Sequence, residues 1–223
     1  MKFRRKSQVT AEELDDASQP QEPARGPFDA EDLPDDGVTR ADLGSLLIEP
    51  SADRELRLQV EESTGKVQAV MLAGPDGALE LRAFAAPRNG DLWSEVRPQI
   101  AADMTRRGGT ATEVEGPFGV ELQCQLATQL PDGRTGTQHS RIIGVNGSRW
   151  LLRATLIGGP AREPETAADW EHVITRVAVR RGEGAMPVGE ALPVSLPENA
   201  RKVQPAQRTA QETGQQLTQP TGE

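Results

Sequence analysis

A chain of 223 residues with 34 acidic against 25 basic side chains, net charge −9, is too acidic for broad phosphate-backbone binding, which draws its affinity from Lys and Arg neutralising phosphates. The single cysteine, Cys124, excludes a disulfide framework and any multi-cysteine zinc or iron–sulfur site, and fits a reducing compartment. Hydrophobic residues at 35% and aromatics at 3%, with 22 Gly and 17 Pro, average an apolar middle with polar ends, and the length suits one domain.

The opening Met1-Lys2-Phe3-Arg4-Arg5-Lys6 has the charge of a signal peptide, but Ser7 to Glu13 follow without an apolar core. Export by that route is therefore not expected, and the predicted location is cytoplasmic. Nowhere do about 18 apolar residues run together, so no membrane-spanning helix is predicted. Residues 1–37 carry Glu12, Glu13, Asp15, Asp16, Asp29, Glu31, Asp32, Asp35 and Asp36 between prolines. Such a segment buries too little apolar surface to offset its ordering entropy, which predicts a disordered acidic arm.

A single folded domain is expected over residues 38–182. Ser45 to Glu49, Glu55 to Glu61, Val67 to Leu72 and Leu79 to Phe84 are short apolar-alternating runs separated by turn residues, the pattern of an antiparallel meander. In Glu55 to Glu61 the leucines face one way and Arg57, Gln59 and Glu61 the other, so that strand is wet on one side. A helix follows, with Asp91 or Ser94 as N-cap, Trp93, Val96, Ile100 and Met104 at helical spacing, and Gly108-Gly109 as its stop. Pro98 is tolerable only near the first turn, which moves the predicted start toward Ser94. Thr110 to Val114, the turn Gly116-Pro117-Phe118-Gly119 and Val120 to Leu130 read as two more strands.

Asn146-Gly147 between the apolar runs Arg141 to Val145 and Trp150 to Arg153 selects a type I′ two-residue hairpin. That loop makes Val145 face Ser148, Ile143 face Trp150 and Arg141 face Leu152, with Ile143, Val145, Trp150, Leu152 and Ala154 on the core side. Gly144 then lies opposite Arg149. A second helix begins around Thr166, with Asp169 in the manner of a capping box and Trp170, Val173, Ile174 and Val177 as its stripe. Val177 to Arg181 reads alternatively as a last short strand. Residues 183–197, with Leu192, Leu196 and several prolines, must be extended and are expected to dock on the domain, with a partner strip as the competing reading. Residues 198–223 read as a disordered tail.

The chemistry is sparse. Cys124 alternates with Glu121, Gln123 and Gln125 on a strand, which predicts a buried structural thiol. His139 and His172 lack partner spacing for a metal or a catalytic triad, and no cofactor or metal is expected. Glu121 is the acid to inspect within a strand, against an exposed polar face as the plain alternative. Arg149 and Arg153 flank Leu151 on one hairpin face, a geometry suited to a carboxylate, a phosphate group or the protein's own acids. With Arg88, in the 85–93 loop, these residues are the binding candidates.

The runs Asp42-Leu43-Gly44-Ser45-Leu46, Ala85-Ala86-Pro87-Arg88, Gly116 to Leu122, Gly144 to Arg153, and Arg181-Gly182 followed by Met186-Pro187 resemble an actinobacterial family of conserved proteins of unassigned function, over about residues 26 to 197. The resemblance implies a cytosolic protein with no known activity, cofactor or catalytic residue, in a family often encoded near a dUTPase gene and an OB-fold gene.

The expected fold is α+β, an antiparallel sheet of roughly seven or eight strands with two helices packed on it, similar to the PsbP-like layout. The leading functional reading is a non-enzymatic binding or adaptor module with a protein partner. The second is a small-molecule-binding or hydrolytic enzyme using Arg149, Arg153 and Glu121. The third is an accessory role in nucleotide or DNA metabolism, without nucleic acid as the direct ligand.

Overall fold

The computed structural model describes residues 25–61, 63–129 and 133–195. The predicted arm up to residue 24 and the predicted tail lie outside the described residues, as do Leu130 and Leu196. In chain order the elements are β1 (Phe28–Asp29), β2 (Ala41–Asp42), β3 (Leu46–Ile48), β4 (Glu55–Val60), β5 (Val67–Ala73), β6 (Gly77–Ala85), α1 (Leu92–Arg106), β7 (Thr110–Gly116), β8 (Gly119–Gln129), β9 (Thr135–Asn146), β10 (Trp150–Gly158), a 3-10 turn (Gly159–Ala161), α2 (Pro164–Arg176) and β11 (Ala178–Val179).

Seven strands form an antiparallel sheet in the order β4-β5-β6-β10-β9-β8-β7. The first meander, β4 to β6, arises from period-two alternation, which gives each strand one apolar face. α1 then carries the chain to the far edge, and β7 to β10 return in a second meander until β10 pairs with β6 from Trp150↔Ala85 to Gly158↔Gly77. One face buries Val70, Leu72, Leu81, Ile143, Leu152 and Leu156 against Trp170 and Ile174 of α2 and against Leu46, Ile48 and Val179. The other packs Leu122, Cys124, Ile142 and Leu151 against Leu92, Trp93 and Met104 of α1. The result is the layered α+β architecture expected from sequence, with a helix on each side of the sheet.

A four-stranded sheet, β1-β11-β3-β2, lies with α2. Phe28 and Asp29 belong to the stretch read as arm, yet they form β1: the Phe28 N–H donates to the Val177 carbonyl at 2.9 Å and the Ala30 N–H to Val179 at 2.9 Å. The Asp29 carboxylate accepts from the indole N–H of Trp150 at 3.2 Å and from Ser148. A buried indole donor needs an acceptor, and Asp29 of β1 supplies it.

The β9–β10 hairpin has the expected faces but another register. Val145 pairs with Leu152, Ile143 with Ala154 and Arg141 with Leu156, while the Gly147 N–H donates to the Trp150 carbonyl at 2.7 Å. The loop is therefore Ser148-Arg149, neither at positive φ, so it is not the type I′ turn. The shift moves each partner by an even number of residues, which keeps every side chain on its predicted face. Asn146 is withdrawn from the turn because its amide caps α1: its Oδ1 accepts the Trp93 N–H at 3.1 Å and its Nδ2 donates to Asp91 at 2.7 Å. Gly144 lies opposite Arg153, not Arg149, and makes room for the Trp93 indole, which a Cβ there would overlap.

These contacts also place the start of α1. Asp91 accepts from the Ser94 N–H at 3.1 Å and the Ser94 hydroxyl at 2.5 Å, so the helix begins at Leu92 and Pro98 sits in its second turn. Two caps from different parts of the chain hold an end that propensity alone would move to Ser94. α2 begins at Pro164, where the missing N–H costs nothing, two residues before Thr166.

β5 pairs with β6 only as far as Leu81, which leaves the Ala83–Ala85 edge to be covered. The segment after β11 does this: the Leu192 N–H donates to Ala83 at 2.8 Å, and Ala85 exchanges bonds with Gly189 and Glu190 at 2.8 Å. Val194 then bridges Gly44 and Val67, and Leu192 is buried. The described part of the proline-rich segment thus lies on its own domain.

Candidate functional site

Glu121 sits on the α2 face of the sheet and is fully buried, not on an exposed polar face. β8 pairs Gln123 with Arg141, so Glu121 is diagonal to that arginine and reaches it through Arg141 Nε and, at 3.1 Å, through Nη2. The same guanidinium meets Glu171 of α2 at 2.6 Å. Burial alone would lower the Arg141 pKa, but its two carboxylate partners outweigh that and hold it above the ordinary arginine value. Gly116 leaves the space that the Glu121 carboxylate fills. A cleft of about 270 Å³ lies beside the trio, bordered by Gly116, Pro117 and Arg162. All three charged groups are matched to one another, and their joint effect is to fasten α2 to β8 and β9.

Arg153 lies on the opposite face, beside α1. Its cross-strand partner is Arg82. Strand alternation puts Glu80, Arg82 and Phe84 of β6 on that face together, and both guanidinium groups stack on the Phe84 ring at 5.4 Å from its centroid. The Arg153 Nη2 is 3.5 Å from Glu80, the limit of a hydrogen bond. The Nε atoms of Arg82 and Arg153 are buried and donate to no acceptor. Burial, reinforced by the neighbouring Arg82 charge and only partly opposed by Glu80, lowers the Arg153 pKa. A groove of about 450 Å³ opens here between α1 and the sheet. Val96, Ile100 and Met104 are the apolar part of its helical wall, with Asp103, Arg106 and Arg107 at the C-terminal end of α1; Leu126 and Ile142 lie opposite, and Arg153 and Glu80 supply charge from the β6–β10 side.

The other two predicted residues lie elsewhere. Arg149 is in the hairpin loop and donates to the Gly182 carbonyl at 3.1 Å. Arg88 is exposed in a turn that hangs from the same loop by the bonds of Ala86 to Arg149 (2.9 Å) and Asn89 to Ser148 (2.8 Å). Neither lines the groove. The sheet therefore separates Glu121 from Arg153: Arg153 lines the groove, Glu121 lines the cleft, and Arg149 lines neither. Cys124 is 2% exposed on the α1 face, and burial pushes its thiol up, which removes the thiolate that reactivity requires.

Sequence reasoning missed Arg82 and Arg141. The alternation Glu80-Leu81-Arg82-Ala83-Phe84 was the available signal for Arg82, but only the pairing of β6 with β10, distant in sequence, sets two arginines side by side. Among the described residues, no group of three or more His, Cys, Asp or Glu side chains could hold a metal ion, and no helix is long and apolar enough to cross a membrane.

Residues 26–203 match the family described as Protein of unknown function (DUF3710). The chain belongs to this family. None of the curated proteins matches the sequence. Among solved structures, a protein from Bacteroides thetaiotaomicron VPI-5482 is 12% identical with a TM-score of 0.39, the match covering 66% of this chain and 49% of that one. This family member thus spans about half the length of the Bacteroides protein. Cyanobacterial PsbP from Synechocystis sp. PCC 6803 is 10% identical with a TM-score of 0.37, over 66% of this chain and 96% of its own. LpqN of Mycobacterium tuberculosis, a protein involved in cell envelope biogenesis, is 14% identical with a TM-score of 0.31, over 60% and 83% respectively.

Proposed function

We propose that this DUF3710 protein is a non-enzymatic binding module of the actinobacterial cytoplasm and that it binds in the groove between α1 and the sheet. The observation that carries the reading is the state of Arg153: its half-buried guanidinium borders the groove, with Arg82 directly opposite it on β6 and Glu80 as its ion-pair partner at 3.5 Å. Concave, mainly apolar surfaces with a few convergent polar groups are where ligands bind. The α2 side offers less, because Glu121, Arg141 and Glu171 already satisfy one another.

The hydrolytic reading asks Glu121, Arg149 and Arg153 to act on one substrate. It draws no support from their geometry, since Glu121 and Arg153 project from opposite faces. An accessory role in nucleotide metabolism rests on the resemblance to a family encoded near a dUTPase gene, and a protein partner would dock over the groove mouth. The test is chemical-shift mapping of the ¹⁵N-labelled protein against metabolite mixtures, with each ligand assayed for chemical change. Saturable perturbation confined to the groove residues, with the ligand recovered intact, supports the module. Turnover of the ligand, or perturbation centred on residues 114–123 and 160–171, contradicts it.

A further inference from the structure

We propose that Arg82 and Arg153 form an oxyanion site, and that the adjoining groove takes a small amphiphilic acid: a carboxylate or phosphate monoester with an apolar body. This rests on the groove being the binding surface and names what it binds.

Like charges directly opposite on paired strands repel, and β6 and β10 hold Arg82 and Arg153 in that relation. Other arginines of the domain meet carboxylates closely. Arg40 meets Asp36 at 2.7 Å, Arg141 meets Glu171 at 2.6 Å, Arg176 meets Glu49 at 3.0 Å and Arg180 meets Asp42 at 2.9 Å. Arg153 has Glu80 at 3.5 Å, and Arg82 has no ion pair among the described residues. A chain with 34 acids and 25 bases does not leave such a pair short of negative charge for want of acids.

Both Nε–H groups are buried without an acceptor, so each guanidinium keeps an unused donor. Phe84 lies under both, 5.4 Å from each guanidinium carbon, and a contact of that kind restrains the side chains and lowers the entropy lost when they grip a ligand. A carboxylate or phosphate presents two oxygens at the spacing of a guanidinium fork, and one placed between two forks relieves their repulsion as well. Next to this charge the groove offers Val96, Ile100, Met104, Leu126 and Ile142, a surface for a hydrocarbon body. The Arg153 and Glu80 side chains are only 22% and 20% exposed, a recess that admits a free molecule and keeps out the headgroup of an intact bilayer. Glu80 competes for the same guanidinium, so its removal favours the ligand.

The experiment is a titration of the full chain, observing the Nε–Hε cross-peaks of Arg82 and Arg153 and the amides of Ile100 and Met104. The probes are octanoate and octyl phosphate below their micellar concentrations, with acetate, inorganic phosphate and octanol as controls. The expected result is saturable movement of both arginine peaks with the two octyl acids, binding about tenfold weaker for acetate and phosphate, and still arginine peaks with octanol. Arg82→Gln and Arg153→Gln each weaken octyl-acid binding about tenfold or more, and Glu80→Gln tightens it. The Glu80 variant and the wild-type peaks decide the matter if an arginine variant fails to fold. Octanol moving the groove amides as well as the acids do, with silent arginine peaks, overturns the oxyanion site and leaves the groove as a binding surface. No movement of either set at millimolar probe overturns both.

Discussion

Replacing Glu121 by Gln tests whether the Glu121–Arg141–Glu171 trio fastens α2 to the sheet. The substitution keeps the volume but removes the charge, and it turns an NH₂ or a single remaining oxygen toward the Arg141 Nε–H. Glu121 is fully buried, and Arg141 is nearly so. Breaking a buried pair by removing one partner costs about 3–5 kcal/mol, and a hydrogen bond to a charged group contributes about 1.5–3 kcal/mol. Glu171 still holds Arg141 at 2.6 Å and is partly exposed, which brings the expectation to the lower end, about 3 kcal/mol. For a domain of this size each kcal/mol moves the melting temperature by about 2–4 °C, so Glu121→Gln should lower it by about 6–12 °C. Glu171→Ala, at the solvent edge of the trio, should cost about 1 kcal/mol and about 2–4 °C. Thermal and urea unfolding followed by circular dichroism measure both. A fall of less than about 2 °C for Glu121→Gln, or a larger effect from Glu171→Ala, refutes the reasoning.

Three further outcomes follow from named contacts. Gly144→Ala forces a methyl into the Trp93 indole, so it should cost about 1–3 kcal/mol and shift Trp93 fluorescence to the red, read by urea unfolding and emission spectra. Asp91→Ala removes the α1 cap, a loss of about 1 kcal/mol at neutral pH. The hydrogen bond from the Ser94 hydroxyl, with those from the Ser94 N–H and Asn146, holds the Asp91 pKa below its ordinary value. The wild-type advantage is therefore full above about pH 4 and shrinks as pH falls through the lower folded value, which melting curves from pH 7 to pH 2 will display. Truncation after Gly182 removes buried Leu192 and the bonds that cover Ala83 and Ala85. Scanning calorimetry should show a fall of more than about 4 °C, since burial of one leucine alone is worth about 2 kcal/mol.

The first meander was legible because Glu55 to Val60 and Gly77 to Ala85 alternate strictly, and alternation is a local property. The faces of the β9–β10 hairpin were legible for the same reason, while its register was not: the amide of Asn146 serves Trp93 and Asp91, and no short-range signal reports that demand. β1 escaped notice because two residues in an acidic stretch carry no pattern, and its partner β11 lies at the other end of the chain. Glu121 looked solvated since polar residues alternate along β8, yet α2 and its Glu171 cover that face. Arg153 was grouped with Arg149, which is near in sequence, whereas the arginine directly opposite it is Arg82, because β6 pairs with β10. Local periodicity thus placed side chains on faces, and the connections between distant strands decided which of them meet.

The most direct measurement compares the melting temperatures of the wild type and Arg82→Gln in chloride buffer and in submicellar octyl phosphate. If the opposed arginines are an oxyanion site, the variant melts at or above the wild type in chloride, because a like-charge contact is gone. Octyl phosphate at ten times its Kd should then stabilise the wild type by about 1.4 kcal/mol, raising its melting temperature by about 3–6 °C, and leave the variant nearly unmoved. A variant that melts lower than the wild type by the same amount in both buffers would contradict the site.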